Sequence, residues 1–377
     1  MKRGFFAMLL IGLLSSAIIT TAEDTLETQV VENYANIAYA SYEDSLITAL
    51  DLQVAIDDFL ATPSEETMQA AKDAWLAARV PYGQTEAYRF YGGPIDDENG
   101  PEGLINAWPM DEVYVDYVEG APDGGIINNV ADYPELTAEL IEGLNEQGAE
   151  ENIATGYHAI EFLLWGQDLY EDSAGRREFT DYTTASNADR RGQYLKVVTD
   201  LLIGHLEYLN DAWSPDVADN YRAEFLALDS REAIGLILIG AGTLSSSELP
   251  GERMFTAYDN QDQEDEHSCF SDNTHVDIAA NFQGIANVYF GTYTRVDGTF
   301  IEGAGVQTVI ALQDADLAAS MDALFAEVET GIAEIYTPFD QAITLEEYRP
   351  TVLAATDLIF DLGDTFSEAI AVLGIQL

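Results

Sequence analysis

A 3.6-residue apolar period recurs along almost the whole chain, while the two-residue alternation of strands is missing, and this constrains the fold most. Val30, Tyr34, Ile37, Ala38, Leu46, Leu50 and Val54 mark one face of a long first helix, and Leu195, Val198, Leu202, Leu206, Leu209 and Trp213 mark a later one. A helix with one apolar stripe must bury it against another element, so the expected class is all-α, helix packed on helix. Thr62-Pro63-Ser64-Glu65 reads as a capping box with proline at the first helical position, opening a second helix that Pro81 interrupts. Pro134 opens a helix to about Asn145, and Asn187 caps the helix that Ser214-Pro215 ends. Ser230 caps a segment whose small, apolar centre (235–242) reads as buried, and Pro250-Gly251 breaks it. Asp272 or Asn273 caps a helix through Tyr289, 314–335 is helical, and Thr344-Leu345-Glu346-Glu347 reads as a capping box before the last helix. The pattern predicts two helical bundles in tandem, residues 23–215 and 216–377, after a leader of residues 1–22.

That leader has Lys2 and Arg3, a short apolar run from Phe5 to Ile19, and small residues up to Ala22, the layout of a secretory signal peptide. Later apolar stretches are too short to span a bilayer; 235–242 comes nearest. Cys269 is the sole cysteine, so no internal disulfide can form and the core must supply the stability. The formal net charge is −53, from 68 acidic and 15 basic residues. Such a surface repels nucleic acid and anionic lipid. Acids spread along the whole chain suit salty surroundings better than a dedicated cation-collecting role, which needs only a few carboxylates. A hydrophobic content of 47% excludes a disordered acidic chain.

Three places could carry chemistry. The run Gly156–Asp168 puts His158 and Glu161 three residues apart in a helix-like apolar segment, on one face, where both could reach one ion. The stretch Asp259–His275 gathers His267, Cys269 and His275 among carboxylates, a donor set suited to iron or zinc, to which the Cys269 thiolate would add a softer ligand if exposed; residue order leaves that exposure open. The third is Glu86-Ala87-Tyr88-Arg89; with basic residues scarce, Arg79, Arg89 and Arg253 either hold carboxylates in place or bind an anionic ligand. His205, between Leu202 and Leu206, reads as a hydrogen-bonded core histidine. No His-Glu-x-x-His, nucleophile-elbow, phosphate-loop or haem-attachment motif occurs, nor a helix-loop-helix calcium loop.

Taken in order, several blocks resemble the imelysin family, in particular its branch called iron-regulated protein A. They are Gly156-x-His158-x-x-Glu161 followed by Phe162–Gly166, the segment Arg79–Phe90, Leu249–Met254 and Asp262–His275. The resemblance implies two four-helix-bundle domains with the signature near a cleft between them. It also implies an exported bacterial protein, periplasmic or peripherally associated with the outer membrane, linked to iron acquisition. On that reading a metal ion, iron or zinc, or a small iron-linked ligand binds near His158 and Glu161, with Glu86, His267 and His275 as further metal ligands. Glu86, Arg89 and Arg253 would contact the ligand. The alternative is a zinc-dependent metallopeptidase of the insulin-cleaving type using His158 and Glu161. For that, the base beside the histidine found in His-Glu-x-x-His enzymes is missing.

Overall fold

The computed structural model describes Thr25–Gln376; residues 1–24, which include the leader, and Leu377 lie outside the described residues. Helices dominate, as the period requires. Helix α1 (Leu26–Ala61) and α2 (Glu65–Thr85) form a long antiparallel pair. After short turns come α3 (Gly156–Trp165), α4 (Ala188–Trp213) and α5 (Ser230–Thr243), with α6 (Thr274–Phe290), α7 (Ala315–Ala333) and α8 (Arg349–Val372) completing the frame. Helix α1 packs on α2, α4 and α5, and α6 lies against α2. One continuous apolar core therefore runs from Val30 through Tyr157 and Leu206 to Phe366.

Prolines act differently here than in isolated sequence. Ser64, not Pro63, caps α2, through a reciprocal box with Thr67. The helix then passes Pro81 unbroken to Thr85, because Pro81, Tyr82, Gly83, Gln84 and Thr85 are all buried, and that packing outweighs one missing hydrogen bond. Pro250 does not break its segment either. From Leu244 to Phe255 the chain widens into a π-helical run, and a further helical turn carries it to Asn260. Widening takes the proline ring away from the carbonyl it would strike in a tighter turn. The joined helix Ser230–Asn260 is long and apolar enough to cross a membrane, but 61% of its most apolar window is buried inside the fold.

Other termini shift by a few residues. Asp229 caps α5, Thr137 caps a short helix Ala138–Leu144, and Thr344 ends a helix, leaving α8 to start at Arg349 with proline in its first turn. Asn187 sits left-handed before α4 and donates to Asn128 instead of capping. A small hairpin, β1 (Thr292–Thr294) with β2 (Phe300–Glu302), is the strand element that the helical period hides. Its Asp297-Gly298 turn was the readable signal. The hairpin is fastened to α1 at buried Asp44, which accepts from Tyr293 Oη at 3.0 Å, Val296 N at 2.9 Å and Arg295 Nη2 at 2.7 Å.

A second buried carboxylate ties α4 to the loops. Asp116 accepts from Arg177 Nη1 at 2.7 Å, Arg191 Nε at 2.6 Å and Arg191 Nη2 at 3.0 Å. Its two guanidiniums hold its carboxyl below the ordinary range against the opposing effect of burial. Asp116→Ala would strand two buried cations, and we expect a loss of about 3–5 kcal/mol in urea unfolding; a loss below about 1 kcal/mol would show that water reaches the pair.

Candidate functional site

Two close approaches build the site. Gly156 opens α3 at φ +81°, and a Cβ there would lie 2.4 Å from the Ile105 carbonyl oxygen, so only glycine lets the motif helix start against that turn. Where α2 crosses α6, a Cβ on Gly284 would stand 2.2 Å from the Gln84 carbonyl oxygen. This contact carries the C-terminal end of α2, with Arg79 and Glu86, onto the face of α6 that presents Asp277 and Asn281.

His158 and Glu161 do leave one face of α3, but they meet each other. His158 Nδ1 lies 3.0 Å from Glu161 Oε2, while Glu161 Oε1 accepts from Ser271 N at 2.9 Å and Ser271 Oγ at 2.7 Å. Both carboxylate oxygens are thus engaged, and Glu161 orients the imidazole. His158 Nε2 is buried without a hydrogen-bond partner. The ring sits edge-to-face with His267 at 4.9 Å between centroids, and Trp108 covers another side at 4.9 Å.

From His267 a chain of charged and amide groups runs outward. His267 Nδ1 lies 3.1 Å from Asp277 Oδ2, which also accepts from Ser268 Oγ at 2.5 Å and pairs with Arg79 Nη2 at 3.1 Å. Arg79 Nη1 donates to Asn106 Oδ1 at 2.6 Å, and Asn106 Nδ2 donates to Glu86 Oε1 at 3.2 Å. Glu86 Oε2 receives Arg253 Nη2 at 2.7 Å and Arg89 Nη1 at 2.8 Å. Arg253 Nη1 donates to Asn281 Oδ1 at 2.5 Å, and its Nη2 reaches Glu248 Oε1 at 3.0 Å. In the widened turn, residues five apart stack, which is why Glu248 and Arg253 meet. Phe90, at φ 71°, turns the backbone sharply beside Arg89, whose guanidinium lies 4.7 Å from the Phe90 ring.

The outer end of this chain opens to solvent. A cleft of about 320 Å³ is lined by Arg89, Arg253, His267, Trp108 and Asn106 together with Glu102, Glu146, Glu150, Glu248 and Glu252. Protonation states follow from burial. His158 is held well below the ordinary histidine value by burial and by neighbouring His267, and burial with Arg253 brings His267 down to about 4. Both imidazoles are therefore neutral at pH 7. Burial pushes Glu161 up to about 8, whereas Arg253 and Arg89 overcome burial and hold Glu86 at about 2.

Of the residues singled out in the sequence, His158, Glu161, His267, Glu86, Arg89, Arg253 and Arg79 thus belong to one connected region. His275 does not make these contacts; it is half-buried in the first turn of α6, and its Nδ1 has no partner. Cys269 is buried, and burial raises its thiol well above the ordinary value, so it offers no exposed thiolate as a softer ligand. His205 is half-buried with an unpartnered Nε2, 3.9 Å from Glu142, and is not the hydrogen-bonded core residue expected. Sequence reading missed Asn106, Trp108, Ser271, Asp277 and Asn281. Asp277 and Asn281 gave a signal, two polar residues four apart on an apolar helix. Asn106 and Trp108 gave none. Among the described residues, no three His, Cys, Asp or Glu side chains are grouped tightly enough to hold a metal ion.

These features define an all-helical protein with a buried histidine–carboxylate pair behind an arginine-lined cleft. The imelysin family model matches residues 38–365, and the chain belongs to that family. It is 25% identical over 372 residues to a protein of Synechococcus elongatus named Iron-regulated protein A, covering 94% of this chain and 87% of the relative. Two crystal structures share the fold. One, described as an iron-regulated protein A precursor from Parabacteroides distasonis, superposes with a TM-score of 0.72 at 22% identity, covering 94% of this chain and 97% of that one. The other, an imelysin-like protein from Psychrobacter arcticum, gives 0.62 at 14%, covering 93% and 96%.

The opposed shifts of Glu161 and Glu86 give a pH test. Glu161, raised from about 4.5 to about 8, binds its proton more tightly when folded, so its contribution to stability falls as pH rises through that window. Glu86, lowered to about 2, contributes stability above about 4.5 that is lost as pH falls toward 2. We expect Glu161→Gln to flatten the decline in unfolding free energy between about pH 4.5 and 8 while leaving the acid limb in place. An unchanged slope would mean that Glu161 titrates normally.

Proposed function

We propose that this chain is an exported protein of bacterial iron acquisition that binds a metal ion, iron favoured, or a small iron-linked ligand in the cleft beside His158. The observation that carries the reading is the state of His158. Its Nδ1 is held by Glu161 and its neutral Nε2 is free of any partner, next to a second neutral imidazole at the cleft wall. A carboxylate that accepts from one ring nitrogen is the usual way of presenting the other to a metal; Glu161, raised to about 8, would release its proton as the metal binds and leave the Nδ1–H to donate to it. Imidazole nitrogen suits iron and zinc.

Two imidazoles do not complete a coordination sphere, and the neighbouring carboxylates Glu86 and Asp277 are committed to arginines. The remaining donors would come from the ligand, which favours iron carried in a small complex over a bare ion in a protein cage. Bound iron would supply a Lewis-acidic centre for the oxygen donors of such a ligand. Arg89 and Arg253, fixed by Glu86, would contact its anionic groups, and Trp108 would cover its flat or apolar part. Glu102, Glu146, Glu150, Glu248 and Glu252 outnumber the two arginines at the mouth and would raise the local concentration of cations. The name of the Synechococcus relative points the same way.

The peptidase alternative, with His158 and Glu161 holding zinc, has less support. A hydrolytic zinc takes three protein ligands, a bound water and a base. Here Glu161 has both oxygens engaged and the nearest other carboxylates are neutralised by arginine.

Iron and zinc titrations of the purified protein, read by metal analysis and by quenching of tryptophan emission, test the proposal. His158→Ala is expected to weaken binding at least about tenfold, the equivalent of 1.4 kcal/mol. Affinity unchanged by that substitution would remove His158 from the site. Chelator-sensitive cleavage of an unfolded protein, restored by zinc and lost in His158→Ala, would instead establish the peptidase.

A further inference from the structure

A cavity away from the His158 cleft gathers cations in a chain that has few of them. The first two turns of α2 turn Glu65, Met68 and Lys72 to one side, spaced i, i+3 and i+7. Across from them the segment after α3 brings Arg177, Glu178 and Phe179, and together they line a volume of about 370 Å³. Arg177 is held there by its backbone, whose N–H donates to the Trp165 carbonyl at 2.7 Å. Its Nη1 donates to Asp116 at 2.7 Å and to Asp181 at 3.1 Å. The side chain is 2% exposed, yet its Nε is buried with no hydrogen-bond partner.

Lys72 stands out for a different reason. The described residues hold two lysines, and the other, Lys196, pairs with Asp57 at 2.9 Å and Asp200 at 3.4 Å. Half-buried Lys72 pairs with no carboxylate among the described residues; its ammonium lies 5.2 Å from the centre of the Trp165 ring. Burial and the charge of Arg177 bring it down to about 8, so it is still protonated at pH 7. Lys72, Arg177 and Arg191 thus meet Asp116 and Asp181, three cations against two carboxylates, and one positive charge goes unanswered. Glu65 and Glu178 stand exposed at the mouth, where water screens them.

We propose that this cavity binds a small organic monocarboxylate, with Lys72 and Arg177 Nε holding its carboxylate and Met68 and Phe179 covering its apolar body. Two like charges that line one cavity repel each other, and an anion placed between them reverses the sign of that interaction. The volume lies in the range of small-molecule pockets, about 300–1,000 Å³, and far exceeds what a bare halide fills. A single unanswered charge, with two carboxylates at the mouth, selects one negative charge over the nearly two that a phosphate group carries. The cavity lies at the end of α3 opposite His158, and the proposal does not rest on the iron-binding reading.

The test uses the chain from Glu23 onward, which keeps every described residue and has Lys72 and Lys196 as its lysines. Benzoate is the probe, in about 0.15 M NaCl, where charges beyond about 8 Å are screened. Calorimetric titration is expected to show one benzoate per chain with a dissociation constant of roughly 10⁻⁴–10⁻³ M. Benzamide, which has the same shape without the charge, and inorganic phosphate should each bind at least about tenfold more weakly. With both lysines carrying ¹³C-dimethyl groups, which keep the charge, benzoate should shift the Lys72 methyl signal and leave that of Lys196 in place. Lys72→Gln should weaken benzoate binding at least about tenfold, and Lys196→Gln should bind as wild type. The proposal is overturned if benzoate shows no saturable binding below about 10 mM, or if benzamide or phosphate binds as tightly. Binding that leaves the Lys72 signal unmoved overturns it too, a reading taken on the unsubstituted chain and so independent of whether Lys72→Gln folds.

Discussion

The structure depends on guanidinium groups placed where water cannot reach them. A chain with a formal charge of −53 has few cations, and it buries Arg79, Arg177, Arg191 and Arg253, each against a carboxylate from a distant segment. A buried pair of this kind adds little net stability, because desolvation cancels much of the attraction. Its value is in registry: any other packing of the same helices would leave an unpaired charge inside. Arg79 with Asp277 fixes α2 against α6, and Arg253 with Glu86 fixes the widened turn against the end of α2. The buried pairs therefore specify one arrangement of helices, while the apolar core supplies the bulk of the favourable free energy.

The same pairs shape the chemistry of the cleft. By committing Glu86 and Asp277 to arginines, the fold keeps those carboxylates ionised but unavailable, and leaves His158 and His267 as neutral donors in a dry setting. Glu161 is treated oppositely. It lies in the same region without an arginine in hydrogen-bonding contact, so burial dominates and its proton is retained toward neutral pH. One network thus holds carboxylates in two protonation states, and the difference is set by which of them meets a guanidinium.

Several of these features were legible in the residue order. Helical period, the break after Trp213, the buried centre of α5 and the pairing of His158 with Glu161 on one face are all local, and local spacing is what a sequence records. Prolines 81 and 250 misled for a related reason: the local rule says stop, but tertiary burial of Tyr82–Thr85 and a change of helical pitch carried the backbone through. His205 misled because exposure is a property of the packed chain and not of composition, and for the same reason residue order left the exposure of Cys269 open.

The sequence by itself determined an all-helical chain, its scarcity of cations, and a histidine with a carboxylate one turn away. Tertiary structure decided what those groups face. It turned Glu161 toward His158 and Ser271, set His267 across from His158 while leaving His275 aside, and joined Arg253 to Glu86 across 167 residues of chain. Spacing along a helix fixes neighbours within one turn, whereas contacts between helices depend on which glycines permit close approach and which buried charges must find partners.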